Sequence, residues 1–170
     1  LAILQIIKDS DPVLRKVSRK VDKISPRIQN LIDDMIETLH KAEGAGLAAV
    51  QVGVLRRIVL IETEIDNLHV LINPEIVSVS EEIQETVEGC LSIPSKWGIT
   101  QRPLTVTVKA LNRDGEEFTL SGSDMLAKAI CHEVDHLDGI LFTDNVIKML
   151  TEEELDELRN SEEDDYEDEE

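Results

Sequence analysis

Aromatic side chains are nearly missing from this chain: Trp97, Phe118, Phe142 and Tyr166 are the only four in 170 residues. Proteins that read single-stranded nucleic acid stack its bases on aromatic platforms, so that class is disfavoured. Positive charge is equally short. Seventeen Lys and Arg stand against 36 Asp and Glu, a net of −19, which argues against a polyanion partner. Cysteine occurs twice, at Cys90 and Cys131, too seldom for a disulfide scaffold. No apolar run approaches the ~18 residues of a membrane span. The N-terminus LAILQIIKDSDPVLRK lacks the basic start, long apolar stretch and small-residue cleavage site of a signal peptide. A cytoplasmic protein with free thiols is expected; the chain does not start with Met, so removal of a short leader stays open.

What is present suits one packed domain, with 41% apolar residues in a chain of ordinary domain length. The charge is uneven: residues 151–170 hold thirteen Asp or Glu and one Arg. Ser25-Pro26 has the form of a helix start, a capping hydroxyl followed by a residue with no donor to waste. Ile28, Leu31, Ile32, Met35, Ile36 and Leu39 then recur as one apolar stripe, which Gly44 and Gly46 are expected to end. The stretches 57–61, 69–73, 75–80 and 104–111 read as strands, and Asn112-Arg113-Asp114-Gly115 reads as a hairpin turn. A second helix is expected from about Ser123 to Leu137, capped by Ser123 or Asp124 and stopped by Gly139. A third is expected at 151–159, where Thr151 and Glu154 make a capping box. The fold class is α+β: mostly antiparallel sheets around a central helix, with an N-terminal and a C-terminal helix.

That central helix carries His132-Glu133-Val134-Asp135-His136. Residues four apart share a helix face, so both imidazoles can approach one metal ion, while Glu133 sits roughly 100° round, within reach of a water on that ion. A coincidental spacing on an exposed face is the competing reading. A catalytic site needs a third protein ligand and an open position. A His three residues after Gly139 would supply one option, but Phe142 stands there. Glu157, on the last helix, and Cys90 remain; a thiolate beside two imidazoles suits zinc or ferrous iron.

Cys90 lies in Glu88-Gly89-Cys90-Leu91-Ser92. With His132–His136 and the earlier Gly44-Ala45-Gly46-Leu47-Ala48-Ala49-Val50-Gln51, it resembles, in order and spacing, the three motifs of bacterial peptide deformylases in their compact form. The resemblance runs from Asp11 to about Phe142. It implies a metal held by Cys90, His132 and His136 with water as the fourth ligand, ferrous iron in the cell and zinc, nickel or cobalt as substitutes. It implies hydrolysis of the formyl group from N-formyl-methionyl peptides, releasing formate. Glu133 would act as general base and then general acid, and the Gln51 side-chain amide and the Leu91 backbone N–H would donate to the developing oxyanion. Gly44 and Gly46 would admit an extended peptide. Met125, Leu126 and Ala129, with Ala45, are candidates for the methionine pocket, with plain core packing as the bland alternative. Lys128 could lay its stem along that pocket.

Two residues depart from the family pattern. Cys131 stands where Gln is usual, turned away from His136 and so a poor ligand. Thr100 stands where Val is favoured, on a strand end expected to border the substrate cleft. Arg102 is expected to pair with Glu88 or Asp135. Residues 1–160 are expected to form a single catalytic domain and 161–170 a disordered acidic tail. The enzyme is expected to be a monomer working near the ribosome on nascent peptides, without direct nucleic-acid or membrane binding. The alternatives are a zinc endopeptidase and a non-catalytic metal-binding module whose acidic tail binds a partner.

Overall fold

A computed structural model describes residues 2–167, with side-chain surroundings through Glu162. Helix α1 spans Pro26–Ala42; the Ser25 hydroxyl accepts the Ile28 N–H at 3.3 Å, the cap that Ser-Pro leads one to expect. The stop differs from expectation. Glu43, not a glycine, takes the left-handed conformation at φ 55°, and the Glu43 and Gly44 N–H groups return to the His40 and Leu39 carbonyls. An exposed polar residue bears the ~1 kcal/mol cost of that conformation, which leaves Gly44 and Gly46 for close approach to other side chains.

Strands β1 (Gly46–Ala48), β2 (Ile58–Ile61), β3 (His69–Val79), β4 (Ile83–Cys90), β5 (Ile93–Pro103), β6 (Thr105–Leu111) and β7 (Glu117–Ser123) precede helix α2 (Met125–Leu137), strand β8 (Val146–Met149) and helix α3 (Glu152–Glu167). They form two antiparallel sheets, ordered β1-β2-β3-β6-β7 and β4-β5-β8. The stretches 69–73 and 75–80 belong to one strand whose ladder to β6 is interrupted on both sides of Ile76. Pro74 has no N–H to give that ladder, and a bulge there absorbs the loss.

All four residues of β2 are buried because the larger sheet is covered on both faces. Ile58 and Leu60 pack with Ile32, Met35 and Leu39 of α1. Val59 and Ile61 pack with Ala127, Ile130, Val134 and Leu137 of α2. The strand period of two thus sends alternate residues to two helices and fixes α2 at the centre.

Asp124 begins α2 at φ 56° with no side-chain cap bond, and the Ser123 hydroxyl is engaged with Thr105 in the sheet instead. Neither expected cap operates; the packed apolar face of α2 holds the helix. Gly139 ends it at φ 75°, where a Cβ would lie 2.4 Å from the Arg15 carbonyl oxygen, so only glycine fits. The turn after Leu111 is the expected hairpin: Asn112 Oδ1 accepts from Asp114 and Glu116 N–H, and Gly115 is left-handed.

The Thr151–Glu154 capping box forms, each side chain accepting the other's backbone N–H, at 3.2 and 3.4 Å. Helix α3 then continues to Glu167, past the Ser161 boundary where a disordered tail was expected; the remaining tail residues, 168–170, lie outside the described residues. Once nucleated at a capped, acid-rich N-terminus, a helix extends at one hydrogen bond per residue without needing an apolar face. Among the described residues no helix is long and apolar enough to cross a membrane.

Candidate active site

Cys90 ends β4, while His132 and His136 lie on one face of α2, as their spacing requires. The ligand-type atoms of these three side chains all lie within 4.8 Å of one another, and Cys90 Sγ is 3.3 Å from His136 Nε2. Glu157, the competing third ligand, is exposed on α3 and outside this cluster.

The donor set fits a divalent transition metal: a soft sulfur, two imidazoles and a cleft alongside. His132 Nδ1 lies 2.7 Å from Glu88 Oε2. An ionised carboxylate only accepts, so one proton belongs on Nδ1 and Nε2 faces the cluster. Burial alone would lower this ring, but hydrogen bonds with Cys90 and Glu88 outweigh it and push it up to about 10, so a metal ion would have to displace the second proton from Nε2. Burial pushes His136 down to about 3, which keeps it in the neutral form that ligates.

Glu133 is 3% exposed, and its Oε1 lies 3.7 Å from His132 Nε2. Its Oε2 is buried with no hydrogen-bond partner among the described residues. Burial pushes this carboxyl up to about 7, against the pull of His132, so it can hold or release a proton near neutrality. Gly46 makes the space it occupies: a Cβ on Gly46 would lie 2.9 Å from Glu133 Cδ and Cγ.

Gln51 is buried in a short 3-10 turn, Ala49–Val52. Its Oε1 accepts the Ala48 N–H at 2.9 Å, which orients the amide so that Nε2 donates to Ser92 Oγ at 3.0 Å and points to Cys90 Sγ at 3.6 Å. Ser92 was not singled out in the sequence, though its place two residues after Cys90 was the available signal. Trp97 was also missed. It lines the cleft and lies over Gly89, where a Cβ would come within 2.3 Å of its ring.

The cleft, about 550 Å³, is lined by Gly44, Ala45, Gly46, Leu91, Met125 and Ala129, together with Gln51, Cys90, His132 and Glu133. Leu126 is not part of it; it packs into the core and against Gly122. Lys128 reaches the cleft wall and donates from Nζ to the Val87 carbonyl at 2.9 Å, and burial lowers its pKa. Cys131 lies outside the ligand cluster, with its thiol pushed up to about 11 by burial.

The expectation that Thr100 borders the cleft is overturned. It is fully buried behind the site, donating to Glu88 Oε1 at 2.8 Å. Arg102 pairs with both expected partners, meeting Glu88 through Nε at 3.0 Å and Nη2 at 2.7 Å, and Asp135 through Nη1 at 2.7 Å. Burial alone would raise the Glu88 carboxyl, but the hydrogen bonds from His132 and Arg102 outweigh it and hold Glu88 well below the ordinary range.

A cysteine–imidazole cluster and a buried carboxyl beside a cleft fit a metal-dependent hydrolase. The sequence pattern of the family described as Polypeptide deformylase matches residues 3–152. Peptide deformylase of Acetivibrio thermocellus is 54% identical over 161 residues, 95% of this chain and 94% of that one. Among solved structures, Thermotoga maritima peptide deformylase aligns with a TM-score of 0.83 and 34% identity over 86% of this chain and 99% of that one. An actinonin-bound class I type b peptide deformylase of Acinetobacter baumannii aligns with a TM-score of 0.81 and 33% identity, over 86% of this chain and 99% of that one. The chain belongs to the peptide deformylase family, metal-dependent hydrolases that remove the N-formyl group from nascent peptides during protein biosynthesis. The zinc endopeptidase and the non-catalytic module have no support in these likenesses.

Proposed function

We propose that Cys90, His132 and His136 hold the one catalytic metal and that Glu133 is the proton carrier of the deformylation. The observation that supports this most is the unpartnered, buried Glu133 carboxylate standing beside three mutually adjacent donor atoms at a cleft. A divalent ion there supplies Lewis acidity and brings the pKa of water towards neutrality. Glu133 accepts a proton as the water oxygen adds to the formyl carbon. It gives that proton to the amine nitrogen as the C–N bond breaks, leaving formate and a free N-terminus. The Gln51 amide, already aimed at Cys90 Sγ, and the Leu91 backbone N–H donate to the oxygen that becomes negative. Gly44, Ala45 and Gly46 accommodate the peptide backbone, with Met125 and Ala129 against the methionine side chain.

Ferrous iron is the ion in the cell on this reading, with zinc, nickel or cobalt accepted by the same donors. Residues 1–160 work as a single catalytic domain, as a cytoplasmic monomer near the ribosome and without direct contact to nucleic acid. The test is Glu133→Ala with metal content and deformylation measured together on an N-formyl-methionyl peptide. Metal should stay at one per chain, and the rate should fall by at least ~10²-fold. Retention of more than about a tenth of the rate would refute Glu133 as proton carrier.

A further inference from the structure

Behind the metal-site donors lies a closed polar cluster whose members come from two strands and one helix. Glu88 is two residues before Cys90 on β4, so both side chains leave the same face of the strand. On β5, Thr100 and Arg102 are likewise two apart and share a face. The ladder sets Thr86 opposite Thr100 and Glu88 opposite Gly98, so Thr100 meets Glu88 diagonally, while Arg102, opposite Gln84, reaches back along the same face with its longer side chain. The Glu88 carboxylate accepts four hydrogen bonds. Oε1 takes Thr100 Oγ1 at 2.8 Å and Arg102 Nε at 3.0 Å; Oε2 takes Arg102 Nη2 and His132 Nδ1, both at 2.7 Å. Each oxygen thus has two donors, the full capacity of an ionised carboxylate. Thr100 is 0% exposed and Glu88 3% exposed, so no solvent competes for these positions.

Arg102 and His132 together leave Glu88 one open acceptor site, on Oε1. The bidentate guanidinium restrains the carboxylate, but with that site empty its plane can still rock within the fork. A turn of that plane moves Oε2 relative to His132 Nδ1 and so tilts the imidazole whose Nε2 faces Cys90 and His136. We propose that Thr100 is a positioning residue: its hydroxyl locks the plane of the Glu88 carboxylate and thereby the orientation of His132, slowing loss of the metal. The inference rests on the reading of Cys90, His132 and His136 as the metal ligands. A valine at 100 has the same shape and cannot donate, so Thr100→Val isolates the hydroxyl.

The experiment loads wild type, Thr100→Val and Thr100→Ser with cobalt and follows metal transfer to an excess of chelator. The visible absorption of the bound cobalt and the melting temperature of each metal-free protein are recorded alongside. Partners of ligating histidines typically change metal affinity by ~10–100-fold, so Thr100→Val should release cobalt about tenfold faster, with altered absorption bands. Thr100→Ser, which keeps the donor, should remain within about threefold of wild type in rate and keep its spectrum. A Thr100→Val protein with the wild-type release rate and spectrum overturns the proposal. So does a lower metal-free melting temperature with unchanged release, which would make the hydroxyl structural only. Thr100→Ser behaving like Thr100→Val overturns it as well, because the hydroxyl would then not be the agent. Wild type that takes up no cobalt refutes the ligand assignment itself, and the role of Thr100 with it.

Discussion

Gly46→Ala is the sharpest perturbation the site offers, because it adds one methyl group and aims it at Glu133, the proposed proton carrier. The new Cβ would lie 2.9 Å from Glu133 Cδ and Cγ and 3.0 Å from Oε1. Comfortable carbon contacts begin near ~3.5 Å, so Glu133 must move by roughly 0.5 Å. Its Oε2 has no hydrogen-bond partner and offers little resistance. A 1 Å misplacement of a reacting group costs about 10²-fold, so half that distance should cost about tenfold in kcat, or ~1.4 kcal/mol in the barrier. The backbone at Gly46 is extended and tolerates a side chain, so folding should survive. Metal content should not change, since Glu133 holds no metal on this reading. The assay is steady-state hydrolysis of a short N-formyl-methionyl peptide, with metal analysis of each protein. Gly46→Ala within about twofold of wild type at full metal content would refute the reasoning.

Peroxide should inactivate the enzyme through Cys90, which faces the cleft, ahead of buried Cys131; mass spectrometry finding added oxygen first on Cys131 would contradict this. Truncation after Asn160 should leave folding, metal content and turnover of short formyl-peptides unchanged, because the Thr151–Glu154 box and the Lys148–Glu154 contact that anchor α3 lie upstream; a fall in melting temperature above about 4 °C would show that the removed segment supports the fold. Asp144 gains its hydrogen bond from Arg15, which holds its carboxyl below the ordinary value. Its contribution is therefore complete above the unfolded pKa of about 3.9 and is lost as pH falls through the lower folded value. Wild type should melt above Asp144→Asn at pH ~6, and the gap should close by pH ~2; a gap that widened on acidification would reverse the sign of this argument.

Much of the chemistry was legible locally. A His-x-x-x-His spacing puts two imidazoles on one side of any α-helix, whatever surrounds it, and the motif order linked Cys90 and Gln51 to them before any contact was known. The apolar run of β2 and the stripe of α1 likewise carried their own burial, because periods of 2 and 3.6 follow from backbone geometry. The caps of α2 were misread because propensity ranks side chains that could cap, whereas packing decided the start and the sheet claimed Ser123. The extent of α3 was misread because an apolar count measures tertiary anchorage, not the local hydrogen bonding that carries the helix to Glu167.

The supporting residues belong to the tertiary structure alone. Thr100 looked like a cleft residue from its strand end, yet the β4–β5 register turns it inward to Glu88, and no local pattern encodes a register between two polar strands. Leu126 differed from Ala129 only once the sheet closed over one side of α2 and left the cleft on the other. Gly46 was readable as room for a substrate, but the side of it where a Cβ would stand is taken by Glu133, 87 residues further along the chain. Identity, spacing and period are properties of the chain and set which groups could do chemistry. Which of them touch, and which are sealed from water, depends on long-range packing, where a shift of one residue in register exchanges inside for outside.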